Sequence, residues 1–472
     1  MSFALFPLHP LPWKSKEFLA LWKSNWKASQ WKSRSHHVRS ETRTGMLIHG
    51  ERKHKNSSQL CGPLLNVVPL FVLPLHMDQH ISSWGRTFRF PTCACAYRSQ
   101  GDVVVLINVD DFGAIADGKS DNFQAFKKAW DKACNSLESA KIVVPKGNIY
   151  FVKHINFTGP CHSAISMEIQ GTIKSFPQMY DIPRRLWIKF EDVRNIDVFG
   201  GGTIDGNGEV WWKNSCRVKK TKALTFKNCT NMRVSSLKVV NAQQMQVNFQ
   251  DCNGVEASKL LVVAPEESPN TDGIHVTRTS NINILDSVIK TGDDCVSIVN
   301  GSRNVEVRNI VCGPGHGISI GSLGEDNTEN YVSDIFVKGV KLTGTTNGVR
   351  IKTWQGGRGI ARNIVFEDIE MRSVSNPIVI NQNYCDKNKK CQKQKSGVQV
   401  ENVIYRNIRG TSASKVAINF NCSDSVPCRN VVVENVKLSA QSKGDKVEAF
   451  CSHLAMQTVK LNSNPTCSMQ KN

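Results

Sequence analysis

No run of eighteen apolar residues occurs in the 472-residue chain, which excludes a membrane-spanning helix. Proline is sparse, at 17 residues against 33 glycines, and the composition is that of a globular chain rather than a disordered or collagenous one. Acidic residues are in deficit, with 40 Asp and Glu against 60 Lys and Arg, and the net charge is +20. Such a field favours a polyanionic partner: nucleic acid, an anionic membrane surface or an acidic polysaccharide. The sixteen cysteines contain neither zinc-finger spacing nor a CxxC redox motif. What they do contain is close pairs, Cys385/Cys391, Cys422/Cys428 and Cys451/Cys467, which fit disulfides in an oxidising compartment. Sequons beginning at Asn56, Asn156, Asn228, Asn300 and Asn421 point the same way. Among polyanions, that compartment favours an extracellular acidic glycan over nucleic acid.

Residues 1–102 lack any steady hydrophobic period. They hold 14 Lys and Arg against 5 Asp and Glu, half of the ten Trp and seven of the twelve His. Their first lines carry no apolar core of the signal-peptide kind, and the apolar stretch Leu64–Leu75 is broken by Pro69 and Pro74. This segment is expected to be a basic, disordered or processed leader, native or a gene-model extension that a start at Met46 would shorten. Secretion is expected from the body of the chain. A folded domain is expected over 103–472.

Helical periodicity is equally scarce in that body. One stretch near 122–137 places Phe123, Phe126, Ala129, Trp130 and Ala133 at i, i+3 and i+4 spacing. Beyond it, short β-branched runs recur, many opening on asparagine: Asn195, Asn231, Asn281, Asn304, Asn363, Asn402 and Asn430, with Gly254 and Asp334 as variants. From 231 onward the spacings are 23, 27, 23, 30, 29, 39 and 28 residues. Alternating strands at such a period signal a solenoid. The leucine ladder of leucine-rich repeats is missing, and propeller blades run longer. A parallel β-helix fits best, with the one helix capping its N-terminal end. Length alone suggests about three domains; the repeat reduces them to one.

In a coiled stack, residues one period apart share a face. Asp272 is followed after 21 and 22 residues by Asp293 and Asp294, and His316 comes 22 residues after that pair. Arg350 and Lys352 follow one longer coil later, and Tyr384 another coil on. Singly, an Asp-Asp pair or Gly-His-Gly is a turn, Asn270-Thr271-Asp272-Gly273 is another, and Arg-x-Lys is a solvated face. The joint phase lifts the set above those readings. Splitting a glycosidic bond needs a protonated carboxyl for the leaving oxygen and an ionised one for the attacking water. Crowded carboxyls cannot all ionise cheaply, so one keeps a proton. Arg350 and Lys352, two residues apart on a strand, point to one side and could pair with uronate carboxylates. Asp293 and Asp294 can both face a cleft only if the backbone bends, which Gly292 permits. A disulfide between Cys295 and Cys312 would brace the pair against the coil of His316.

Ser-Pro-Asn-Thr-Asp-Gly (268–273), Gly-Asp-Asp-Cys (292–295), Cys-Gly-Pro-Gly-His-Gly-Ile-Ser-Ile-Gly-Ser (312–322) and Arg-Ile-Lys-Thr-Trp (350–354) together resemble the signature motifs of plant polygalacturonases, family-28 glycoside hydrolases. The resemblance spans roughly 103–442. It implies a right-handed parallel β-helix, without metal or cofactor, that hydrolyses α-1,4 links of homogalacturonan with inversion, as a secreted wall enzyme and a monomer. Endo action is expected over exo. By motif position, Asp293 is the general acid, Asp272 and Asp294 activate water and His316 tunes them, while Asn270, Arg350, Lys352 and Tyr384 hold substrate. The chain departs from the family between Cys216 and Ala223, where only six residues intervene, so Cys216 is expected to be unpaired and a coil upstream of the site perturbed. Alternatives are a rhamnogalacturonan or xylogalacturonan hydrolase of the same family and a non-catalytic wall-binding homologue. A pectate lyase would need a calcium-binding acidic groove and a base for C5-H.

Overall fold

A computed structural model describes residues 104–177, 186–213, 222–385, 391–455 and 460–469. The expected leader over 1–102, the sequon at Asn56 and Cys216 lie outside the described residues. Beyond them the chain winds as a right-handed parallel β-helix, in the sense that parallel crossovers almost always take. Strands of successive coils stack in parallel register into a 12-stranded sheet and a 21-stranded one. A single coil shows the plan, with one strand at Val247–Gln250 in the first sheet and two, at Asn253–Ser258 and Leu261–Val263, in bands of the second. From Arg358–Val374 onward the two bands merge into single long strands.

Alternation explains the stacking. Inward positions of the second sheet carry Ile282 and Ile284, then Val305 and Val307, Ile335 and Val337, Ile364 and Phe366, Val403 and Tyr405, Val431 and Val433, each at most 1% exposed. The spacings of 23, 27, 23, 30, 29, 39 and 28 residues are the register offsets of this stack. The recurrent asparagines have a conformational reason. Asn195, Asn231, Asn281, Asn304, Asn363, Asn402 and Asn430 all take left-handed backbone angles, with φ between 48° and 55°, which Asn tolerates better than other non-glycine residues. Their side chains form a ladder: Asn231 donates to Asn195 at 2.6 Å, Asn304 to Asn281 at 2.6 Å, Asn402 to Asn363 at 3.1 Å and Asn430 to Asn402 at 2.7 Å.

The capping helix runs from Phe123 to Cys134, shorter than the 122–137 stretch. It buries Ala125, Phe126, Ala129, Trp130 and Ala133. Trp130 covers the interior stack Phe157, Phe190, Phe226 and Phe249, whose successive centroids lie 4.9, 5.0 and 5.5 Å apart. A disulfide that the spacing did not suggest, Cys134–Cys161, ties the helix end to the following coils. The four expected disulfides, Cys295–Cys312, Cys385–Cys391, Cys422–Cys428 and Cys451–Cys467, are all formed. After the short link that follows Cys216, the strand Lys222–Lys227 pairs in register with both of its neighbours, so the stack is continuous from there. Among the described residues no helix is long and apolar enough to cross a membrane.

Candidate active site

The outward face of the 12-stranded sheet carries the chemistry. Asn248, His275, Ser297, Ser319 and Arg350 stand in one register row across five consecutive coils. The turns that precede its strands supply Asn270, Asp272, Asp293, Asp294 and His316. A cleft of about 1000 Å3 is lined by all of these but Asn248 and Ser319, together with Lys352 and Tyr384. The spaced carboxylates, the imidazole, the two cations and the phenol therefore share one groove.

The local backbone puts both acids of the pair on the cleft. Asp293 and Asp294 lie in a bend before the strand Val296–Ile298, not within a strand, so the alternation of a strand does not part them. The expected role of Gly292 needs correction. Its φ is unexceptional, but a Cβ there would lie 2.0 Å from the carbonyl oxygen of Ser268. The glycine is needed for close approach of two turns rather than for backbone freedom. Gly292 also donates its N–H to Thr271 Oγ1 at 3.0 Å, which locks the Asp272 turn onto the Asp293 turn.

Each carboxyl has a different environment. Asp294 is 2% exposed; its Oδ1 accepts from Ser319 Oγ at 2.7 Å and Arg350 at 2.9 Å, and its Oδ2 from Lys352 Nζ at 3.1 Å. Burial alone would raise its pKa, but Lys352 and Arg350 outweigh that and hold it below the ordinary range. Asp272 accepts at Oδ2 from Ser297 Oγ at 2.7 Å, and His275 Nδ1 stands 3.6 Å away. Burial and then the charge of Asp293 push its carboxyl up, against the pull of His275. Asp293 meets His316 Nδ1 at 3.0 Å through Oδ1 and Asn270 Nδ2 at 3.3 Å through Oδ2. That hydrogen bond to Asp293 raises the pKa of His316. Of the three acid side chains, Asp293 is the most open to the cleft, at 18% against 11% for Asp272 and 2% for Asp294.

The chain that builds this groove has recognisable kin. The model of "Glycosyl hydrolases family 28" matches residues 134–459. The chain belongs to glycosyl hydrolase family 28. This family 28 chain is 52% identical over 370 residues to polygalacturonase QRT2 of Arabidopsis thaliana, covering 76% of this chain and 84% of that protein. It is 55% identical over 344 residues to a polygalacturonase of Malus domestica, covering 70% and 74%. The endo-xylogalacturonan hydrolase of Aspergillus tubingensis superposes with a TM-score of 0.67 at 21% identity, over 78% of this chain and all of that one, and shows the shared fold.

Three polar groups at this cleft were not expected from the sequence: His275, Ser297 and Ser319. Their signal was present, since His275, Ser297 and Ser319 are 22 residues apart in turn and Arg350 follows 31 later. Arg350 and Lys352, expected to pair with uronates, both bond to Asp294. Lys352 Nζ lies 5.7 Å from the Tyr384 ring centroid, and that ring packs edge-on against Trp354 at 5.2 Å. Ligand atoms of Asp293, Asp294 and His316 fall within 4.8 Å of one another. A cation placed among them would compete with Arg350 and Lys352 for Asp294, so the donor set suits a proton relay better than a metal.

Proposed function

We propose that the chain hydrolyses α-1,4 galacturonosyl bonds of polygalacturonan in plant cell-wall remodelling, by an inverting acid–base mechanism. The observation that carries this reading is the division of labour among the carboxyls. Asp294, clamped by Lys352, Arg350 and Ser319, is held ionised and, with Asp272, activates the attacking water and takes up its proton. Asp293, the most exposed, delivers a proton to the leaving glycosidic oxygen, with Asn270 and His316 holding its two oxygens. One ligand atom from each of Asp293, Asp294 and His316 lies within 4.8 Å of the others, so these groups act on one small volume. Two acids sharing one water would allow a carboxyl separation below the about 6.5–9.5 Å usual between an inverting pair. Arg350 and Lys352 would divide their charge between Asp294 and substrate carboxylates, with Asn270 and Tyr384 as further contacts.

Endo action is supported by placement. The strands Ile274–Thr277 to Asn347–Trp354 occupy the fifth to eighth places in the 12-stranded sheet, so the face continues on both sides of the cleavage point. One chain supplies every group named, which supports a monomer. Five disulfides among the described residues and the polygalacturonases among the relatives support a secreted protein acting outside the cell. The exposed Asn228 sequon offers an acceptor for a glycan.

The test is a timed product profile on polygalacturonate with a chelator present. New reducing ends, intermediate oligomers first and no unsaturated ends are expected. Monomer from the outset would mean exo action, and no release beside tight binding would leave a non-catalytic wall protein. Release confined to substituted or rhamnose-containing pectin would move the substrate to the related classes.

A further inference from the structure

We propose that His275 is a positioning residue which, through the Ser297 hydroxyl, holds Asp272 as an ionised, water-activating base. This deepens the reading above and rests on Asp272 being a base. Counting hydrogens sets the direction. Ser297 Oγ lies 2.7 Å from Asp272 Oδ2 and 2.7 Å from His275 Nδ1. An ionised carboxylate only accepts, so the single hydroxyl hydrogen of Ser297 goes to Asp272. The serine oxygen must then accept, and His275 must carry its hydrogen on Nδ1. The chain of donors runs from His275 to Ser297 to Asp272.

The neighbouring acid has the same device. Arg350 Nε donates to Ser319 Oγ at 3.1 Å, and Ser319 donates to Asp294 Oδ1 at 2.7 Å. His275, Ser297, Ser319 and Arg350 are consecutive members of one register row. Two serines at the centre each serve one acid, and a nitrogen donor flanks each serine. The arms differ in what else they bring. Asp294 also bonds two cations directly, whereas the imidazole of His275, its Nδ1 3.6 Å away, is the flanking group at Asp272.

Asp272 has charged company on every side. Asp293 and Asp294 face it from the next turn, and both push its pKa up, as burial does more strongly. His316 lies against Asp293, its Nδ1 3.0 Å from Oδ1. On the other flank Asn248, in register with His275, accepts from Lys222 Nζ at 3.2 Å. A carboxyl so placed would keep its proton and could take none from water. A hydroxyl constrained to donate stabilises the ionised form and opposes that tendency.

The experiment uses full-length protein, with kcat and kcat/KM on polygalacturonate followed across pH. The variants are His275→Leu, His275→Asn, Ser297→Ala and, as reference, Asp272→Asn. Losing the donor raises the pKa of Asp272, and a base with a raised pKa becomes active only at higher pH. His275→Leu and Ser297→Ala should therefore move the acid limb up by about one to two pH units, the scale of a hydrogen bond to a charged group. KM should stay unchanged. His275→Asn, whose amide N–H replaces the Nδ1 donor, should restore the wild-type limb. Where His275→Leu does not fold, Ser297→Ala reads the same limb. An unmoved limb in a folded variant, beside an inactive Asp272→Asn, overturns the relay alone. Equal loss in His275→Asn and His275→Leu overturns it too, leaving a packing role. Wild-type turnover in Asp272→Asn would instead overturn the reading of Asp272 as a base.

Discussion

Ser297 and Ser319 stand opposite each other on adjacent coils, and each gives its hydroxyl hydrogen to a different carboxylate, Asp272 and Asp294. The sheet register thereby sets two acids side by side with separate supports. That separation gives each of the two bases its own hydrogen-bond donor within one groove.

Replacing Asp293 by Asn should abolish turnover without unfolding the protein. Loss of a general acid costs about 10²–10⁴-fold, and the side chain lies toward the cleft rather than in the core. Initial rates and thermal unfolding of the same sample give the check. Retention of more than about a tenth of the activity would move the acid role to another carboxyl, and Asp294→Asn measured beside it would show which.

Lys352→Ala tests two functions at once. Loss of a charged contact to substrate should lower kcat/KM about ten- to a hundredfold at low salt, and the loss should shrink as salt screens the remaining charges. Asp294 also loses one of the cations that hold its pKa down, so the acid limb of activity should move to higher pH. A limb that moves while the loss ignores salt would assign Lys352 to Asp294 alone.

The His316–Asp293 contact predicts a pH-dependent stability with a definite sign. The folded pKa of His316 is raised by Asp293. Its contribution is therefore fully present below the unfolded value of about 6.5 and is lost as pH rises through the raised folded value. Melting temperatures of wild type and His316→Gln should converge above that value and diverge below it. Parallel curves would show that the imidazole is not held charged by Asp293.

A chain beginning at Val103 should keep its catalytic activity. Every group that lines the cleft lies between Gln244 and Tyr384, and the first coil is capped by Phe123–Cys134. Polygalacturonate hydrolysis and thermal unfolding of the truncated and full-length proteins, both secreted, make the comparison. A stability loss of several kcal/mol, roughly half the margin of an ordinary domain, would assign residues 1–102 a structural part in the solenoid.

The stack was legible in sequence because a solenoid repeats one local rule. Inward β-branched residues alternate with polar ones, and an asparagine recurs where the backbone must turn left-handed, so the spacings after Asn231 are already the register offsets. The same periodicity placed Asp272, Asp293, Asp294, His316, Arg350, Lys352 and Tyr384 on one face. Tertiary structure alone decided how those groups are partnered. That Gly292 serves a close approach to Ser268, that Arg350 and Lys352 clamp Asp294, and that Ser297 and Ser319 divide two acids all depend on contacts between turns some 20 to 60 residues apart. Periodicity tells which residues share a face, since it follows from the strand itself. Hydrogen-bond partners and charge states depend on burial and on distances of a few ångströms between coils, and no local pattern in the chain encodes those.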